Sequence, residues 1–340
     1  MTTRPSAERA APTLEAVAER AGVSRSTVSR VVNGSPKVTD EARAAVERAI
    51  AELGYAPNLA ARSLASRRSH SIALVIPEAT SRFFADPYFA AVVEGVADHL
   101  ARSPYTLALL VASETDPGRT ARYLRGGGVD GALILSTHSD DRSYVELAGR
   151  LPIVFSGRPT VAHDDDAVIV DVDNTSAART ATEYLIAHGR RRIATIAGPQ
   201  DMAAGIDRLV GWREAILAAG LEPGPVETGD FTPEAGAAAL RRLLERGEAF
   251  DGLFVASAQM ANAALVELKA RGIAVPSDVS VIAIDNDRFA IEADPPLTTM
   301  EQPTSEQGAK IAEVLVRLIE GRPVQRKTIM ATRLIERDSV

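Results

Sequence analysis

The sequence predicts a small all-α head followed by a larger α/β core of two parallel-sheet lobes, and three observations carry that expectation. Residues 13–34 read as two short amphipathic helices joined by a tight glycine turn. From His70 onward, β-rich runs alternate with amphipathic helical segments, the pattern of parallel sheets covered on both faces. Charge divides at the same place: residues 1–69 hold eleven Lys or Arg against seven Asp or Glu, leaving 27 against 38 for the rest of the 340 residues. A basic head on an acidic body suits a chain that meets a polyanion with one end only.

In TLEAVAERAGVSRSTVSRVVNG, Thr13 suits a helix N-cap and Glu15 the positive end of the helix dipole, while Leu14, Val17, Ala18 and Ala21 share one face. Gly22 ends this helix and Ser24 caps the next, in which Val28, Val31 and Val32 point inward and Asn33 and Gly34 supply the stop. The outer face carries Arg25, Ser26, Ser29 and Arg30. Arginines pair bidentately with guanine in a major groove, and small hydroxyls reach bases or phosphates. Thr13 to Gly34, both helices and the turn, resembles the N-terminal helix-turn-helix of the LacI/GalR (lactose-repressor) family of bacterial transcription regulators. On that reading Arg25 and Ser26 set base preference, Arg30 meets guanine, Ser24, Ser29 and Asn33 hold phosphates, and Thr27 completes the DNA-facing set.

A third helix is expected from about Thr39, with Asp40 and Glu41 in its first turn, an apolar stripe of Ala42, Val46, Ala49, Ile50 and Leu53, and Gly54 as its stop. The head is therefore placed at 1–57. Residues 58–69 follow as a linker containing one helix-competent run, Asn58 to Ala65, and eight residues rarely hold a helix unaided. If the run folds only when two copies meet on DNA, it is a switch. The family resemblance implies a hinge helix whose ARSL sequence, Ala61 to Leu64, lies in the minor groove. Asn58, Ala61 and Leu64 are its expected DNA contacts, with Leu64 as the wedge between base pairs.

The core at 70–340 contains the runs SIALVIP, YTLALLVA, VDGALILS, PIVFSG, AVIVDV, RIATIAG, GLFVA, VSVIAID and LTTM. About a dozen strands exceed one small domain, so two similar lobes are expected. The polar stretch 158–167 reads as the break and DPPLTTMEQPT as a second crossing. This gives a first lobe of about 70–167 with 304–330, and a second of about 168–303 with 331–340. The arrangement is similar to the periplasmic-binding-protein-like core of the same family, a clamshell with a cleft.

Ligands of open parallel sheets gather beyond the carboxyl ends of the strands. The candidates there are Phe84, Asp86, Tyr88, Phe89, Arg158, Arg208, Ser257, Asp285 and Gln302. Planar charged groups that bond two adjacent hydroxyls, beside aromatic faces, are what a sugar asks of a pocket. The resemblance implies that Arg208 and Asp285 occupy effector-binding positions. Asp86 stands in a stretch where relatives often show Asn-Pro-Phe-Phe, and Ala258 where they often carry Asp, so the ligand differs in detail. Trp212 is expected to pack its helix rather than stack on ligand.

Other classes find little support. There is no cysteine for a disulfide framework, no apolar run of membrane-spanning length, and no apolar core in MTTRPSAERAAP for a secretory signal, so a cytoplasmic protein is expected. His163, Asp164, Asp165 and Asp166 read as a solvated connector rather than a metal site. No P-loop, GxGxxG, GxSxG or HExxH is present, and no nucleophile, base and orienter fall together, so neither enzyme nor cofactor is expected. A solute-binding protein would account for the clamshell but not for the first 65 residues. The resulting reading is a repressor acting as a homodimer on a pseudo-palindromic double-stranded operator. Its effector is a small molecule, a sugar or alternatively a metabolite such as a nucleoside. No leucine heptad suggests a tetramerising tail.

Overall fold

The computed structural model describes residues 12–32, 34–55, 68–112, 117–139, 142–160 and 167–340. Asn33, Asn58, Ala61, Leu64 and the 163–166 connector therefore lie outside the described residues. The chain forms two units, Met1–Ser69 and His70–Val340.

The head consists of α1 (Leu14–Ala21), α2 (Arg25–Val32) and α3 (Asp40–Leu53). Thr13 Oγ1 accepts the Ala16 N–H at 3.3 Å to start α1, and Gly22 ends it in the left-handed region at φ 66°. This conformation is cheap only for glycine and turns the chain tightly into α2. Ser24 Oγ accepts the Thr27 N–H at 3.1 Å, the expected cap. Val17, Val28, Val46, Ala49 and Tyr55 form the buried centre. Each fully buried valine contributes about 1.5–3 kcal/mol, so three short helices suffice for a small core.

The core unit holds two six-stranded sheets. The first contains β1 (Ser71–Ile76), β2 (Thr106–Val111), β3 (Gly131–Leu135), β4 (Ile153–Ser156), β5 (Val168–Val172) and β11 (Lys327–Met330), in the order β11-β5-β4-β3-β1-β2. All of its pairings are parallel. The second contains β6 (Ile193–Ala197), β7 (Val226–Thr228), β8 (Gly252–Val255), β9 (Ser280–Ile284), β10 (Thr298–Glu301) and β12 (Arg333–Ile335), in the order β12-β10-β9-β8-β6-β7. Here only β12 runs antiparallel, against β10. Strands buried on both faces, such as β3 and β8, are continuous apolar runs, as parallel sheets require.

Helices cover both faces. The first lobe carries α4 (Thr80–Ala85), α5 (Pro87–Leu100), α6 (Pro117–Arg125), α7 (Ser143–Ala148) and, from late in the chain, α13 (Thr304–Ile319). The second carries α8 (Asn174–Ala187), α9 (Ala203–Ala218), α10 (Pro233–Glu245), α11 (Ala258–Ala270) and α12 (Arg288–Ile291). Glycines set the crossing of α5 and α13 from both sides: a Cβ on Gly95 of α5 would overlap the Ser305 carbonyl, and one on Gly308 of α13 would overlap that of Val92. No described helix is long and apolar enough to cross a membrane.

Two expectations need correction. The first crossing does not fall at 158–167, because Val168 pairs with Val154 and places β5 in the first sheet. The first lobe thus runs through Val172, and the chain crosses after β5, after β10 and after β11. The segment from β7 to α10 is a further βα unit that the pattern of apolar runs passed over, since β7 is only three residues long.

Candidate functional site

On α2, burial of Val28 and Val31 turns Arg25, Ser26 and Arg30 outward, with Thr27 and Ser29 partly covered. Ser24 Oγ lies 2.8 Å from Ser26 Oγ and 2.9 Å from Thr27 Oγ1, so hydroxyls gather where α2 presents its free backbone N–H groups. A helix N-terminus of this kind favours a phosphate. Arg25 Nε sits 2.9 Å from Glu15 Oε1, but both side chains are well exposed, and such a pair is readily exchanged for another anion.

In the core unit, the carboxyl ends of both sheets open onto one cavity with about 770 Å³ of empty space, its mouth included. Eight of the nine expected residues line it: Asp86, Tyr88, Phe89, Arg158, Arg208, Ser257, Asp285 and Gln302. Phe84 does not, and its assignment is corrected. Residues 80–85 form a helix, which buries Phe83 and leaves Phe84 78% exposed with its ring edge-on to Phe83 at 4.8 Å. Trp212 is fully buried in the second lobe, as its helical position implies.

Among the lining residues not singled out from sequence are Arg82, Ser156, Asp171, Asn174, Phe231 and Gln307. Asp171 and Asn174 lie at the carboxyl end of β5, where the strand-end rule would have found them. Phe231 follows the unrecognised β7, and Gln307 lies inside a helix without any sequence signal.

Arg208 organises the charge. It sits in the second turn of α9 rather than at its start, and only 5% of it is exposed. Its Nε donates to Asn174 Oδ1 at 2.9 Å and one terminal nitrogen to the Ala256 carbonyl at 2.7 Å, while its Cζ lies 5.7 Å from the Phe231 ring centre. Burial pushes the carboxyls of Asp171 and Asp285 up, and the Arg208 charge opposes this at both. Gln302 Nε2 also donates to Asp285 Oδ1 at 2.5 Å. Asp86 caps α5 by accepting the Tyr88 N–H at 3.0 Å, yet burial raises it to about 6. The wall therefore holds costly carboxylates close to guanidinium groups, a state that favours hydroxyl donors.

Gln307 Nε2 donates to Ser156 Oγ at 3.2 Å and to the Val170 carbonyl at 3.3 Å, while its buried Oε1 has no protein partner. Arg158 forms a two-point pair with Asp207 of the other lobe, at 3.2 and 2.6 Å. Among the described residues, four non-glycine positions take positive φ, and three of them, Ser136, Phe231 and Asp285, line this cavity. Backbone strain of this kind persists where surrounding structure over-determines it.

A helix-turn-helix head and a two-lobed core with a polar cleft define a DNA-binding transcriptional regulator. Residues 13–58 match the bacterial regulatory proteins of the lacI family, and residues 182–340 the periplasmic binding protein-like domain. The chain is 46% identical over 337 residues to the HTH-type transcriptional regulator CelR of Thermobifida fusca, covering 97% of this chain and 99% of that protein. It is 35% identical to the ribose operon repressor of Escherichia coli, covering 96% and 99% respectively. It is similar to the solved transcriptional regulator CelR–cellobiose complex, with a TM-score of 0.77 at 45% identity over 97% of this chain and 100% of that one. It is also similar to the lac repressor dimer bound to operator and the anti-inducer ONPF, with a TM-score of 0.86 at 26% identity over 97% and 99%. The chain belongs to the LacI family of bacterial transcriptional regulators, which are not enzymes.

Proposed function

We propose that this regulator is a repressor that binds a pseudo-palindromic operator as a homodimer, with its affinity set by a small carbohydrate in the cleft. The observation that carries the effector reading is the convergence of Asp86, Asp171 and Asp285 with Arg82, Arg158 and Arg208 on the one cavity that the Phe231 ring also lines. Carboxylates accept from adjacent sugar hydroxyls, guanidinium groups donate to sugar oxygens, and an aromatic face packs on the C–H side of a pyranose ring. Ser257, Gln302 and the Gln307 carbonyl oxygen complete the polar set. The full-length similarity to CelR, solved with cellobiose, makes cellobiose the first effector to test.

On DNA, Arg25, Ser26 and Arg30 read base edges, while Ser24, Thr27 and Ser29 hold phosphates. Asn33, Asn58, Ala61 and Leu64 join them on sequence resemblance. Effector binding shifts the lobes and so changes the spacing of the two 58–69 segments, which couples the sites.

The test is titration of operator DNA from upstream of the protein's own gene at two salt concentrations, with and without cellobiose. Affinity falls steeply with salt and changes on adding cellobiose. Salt-independent binding overturns the DNA assignment. A response to cytidine and none to cellobiose transfers the effector to the nucleoside class.

A further inference from the structure

We propose that protonated His138 is a latch across the cleft, tying buried Glu78 of the first lobe to Asp201 of the second, so that closure weakens when the ring loses its proton. Glu78 follows β1 and is only 3% exposed. It accepts from Ser136 Oγ, lies 3.1 Å from a terminal nitrogen of Arg82, and lies 3.3 Å from His138 Nε2. The other ring nitrogen, Nδ1, sits 2.7 Å from Oδ2 of Asp201, in the turn after β6. The Ser139 N–H also crosses the gap, to the Asp201 carbonyl at 2.9 Å.

Both ring nitrogens thus face carboxylate oxygens. An ionised carboxylate only accepts, and a neutral imidazole has a single N–H, so the geometry is satisfied by the imidazolium alone. The charged groups packed on the ring are Glu78, Arg82 behind it, and Asp201: two anions and one cation, which His138⁺ balances. The hydrogen bond to Glu78 foremost, and then that to Asp201, raise the ring to about 9.

Opening leaves Glu78 beside the ring but removes Asp201, so the closed form binds the proton more tightly. The contribution to closure is therefore complete below the open-form value and is lost as pH rises through about 9. Arg158–Asp207, a further ion pair between the lobes, holds the remainder. The latch stands on the core unit alone and does not rest on which effector binds.

The chain contains no cysteine, so spin labels on S81C of α4 and E234C of α10 report on the mouth without interference. These exposed positions flank Arg82 and Phe231, which face each other across it with the Arg82 Cζ 5.7 Å from the ring centre. In the full-length protein without ligand, the ratio of long to short label distances should rise roughly two- to fivefold from pH 7 to pH 10, the scale of a half-exposed pair. D201N and H138Q should show the raised ratio already at pH 7, with little further change. A ratio independent of pH, or an undiminished rise in D201N, overturns the latch. H138Q strands Glu78 and can fail to fold, whereas Asp201 is half exposed and D201N keeps the test intact.

Discussion

Replacing Arg208 by Met keeps the apolar stem and removes only the guanidinium group. The change strands Asn174 Oδ1 and the Ala256 carbonyl, and it leaves Asp171 and Asp285 without their neighbouring cation. Breaking a buried charged contact from one side typically costs about 3–5 kcal/mol. The two acids relieve part of that by taking up protons, since burial already pushes them upward, so a loss of about 3 kcal/mol in denaturant unfolding is expected. Protonated acids accept poorly from sugar hydroxyls, and the guanidinium contacts are gone as well. The affinity for cellobiose should fall at least about 100-fold, or roughly 2.7 kcal/mol. Calorimetric titration reads the ligand and fluorescence anisotropy of labelled operator reads the DNA, whose affinity without effector should stay within about threefold. An unchanged cellobiose response removes Arg208 from the site, and a parallel loss of operator binding makes it a folding residue.

Asp86 gives a pH dependence with opposite signs for folding and binding. Its folded value of about 6 lies above the unfolded value, so its ionisation destabilises the fold as pH rises through that window, while effector affinity falls as pH drops from 7 to 5. D86N should flatten both curves, and a binding curve that keeps its slope in D86N would assign the titration elsewhere. Arg25→Ala should weaken operator binding by about 1–3 kcal/mol and relax preference at one base pair, with the melting temperature unchanged; equal loss on all sequences would make Arg25 a phosphate contact. Gly308→Val should destabilise by at least about 2 kcal/mol, because its Cβ meets the Val92 carbonyl where α5 and α13 touch. An unchanged melting temperature would refute that close approach.

The three head helices were legible because every cap and apolar step is local: Thr13, Gly22, Ser24 and the valines of α2 all act within one or two turns. Most strands were legible as apolar runs, though not β7, β11 or β12, and Arg208, Ser257 and Asp285 were legible as residues near strand ends. Sheet membership was not legible. Val168–Val172 looks like every other buried strand, and only its pairing with β4 says which lobe owns it. Phe84 was misplaced because one helical step turns a side chain about 100°, enough to exchange it with Phe83 between inside and outside. Phe231 and Gln307 reach the cleft through non-local packing, and no spacing along the chain encodes that.

The three crossings also define how the two lobes can move. They leave and enter through neighbouring strands, β5 beside β11 in the first sheet and β10 beside β12 in the second. A single strap would let one body swivel freely about the other. Three straps side by side bend together but resist torsion, so a ligand gripped between the lobes can drive only a narrow arc of rotation. The fold behaves as a door on a piano hinge, with its travel direction fixed before any ligand arrives.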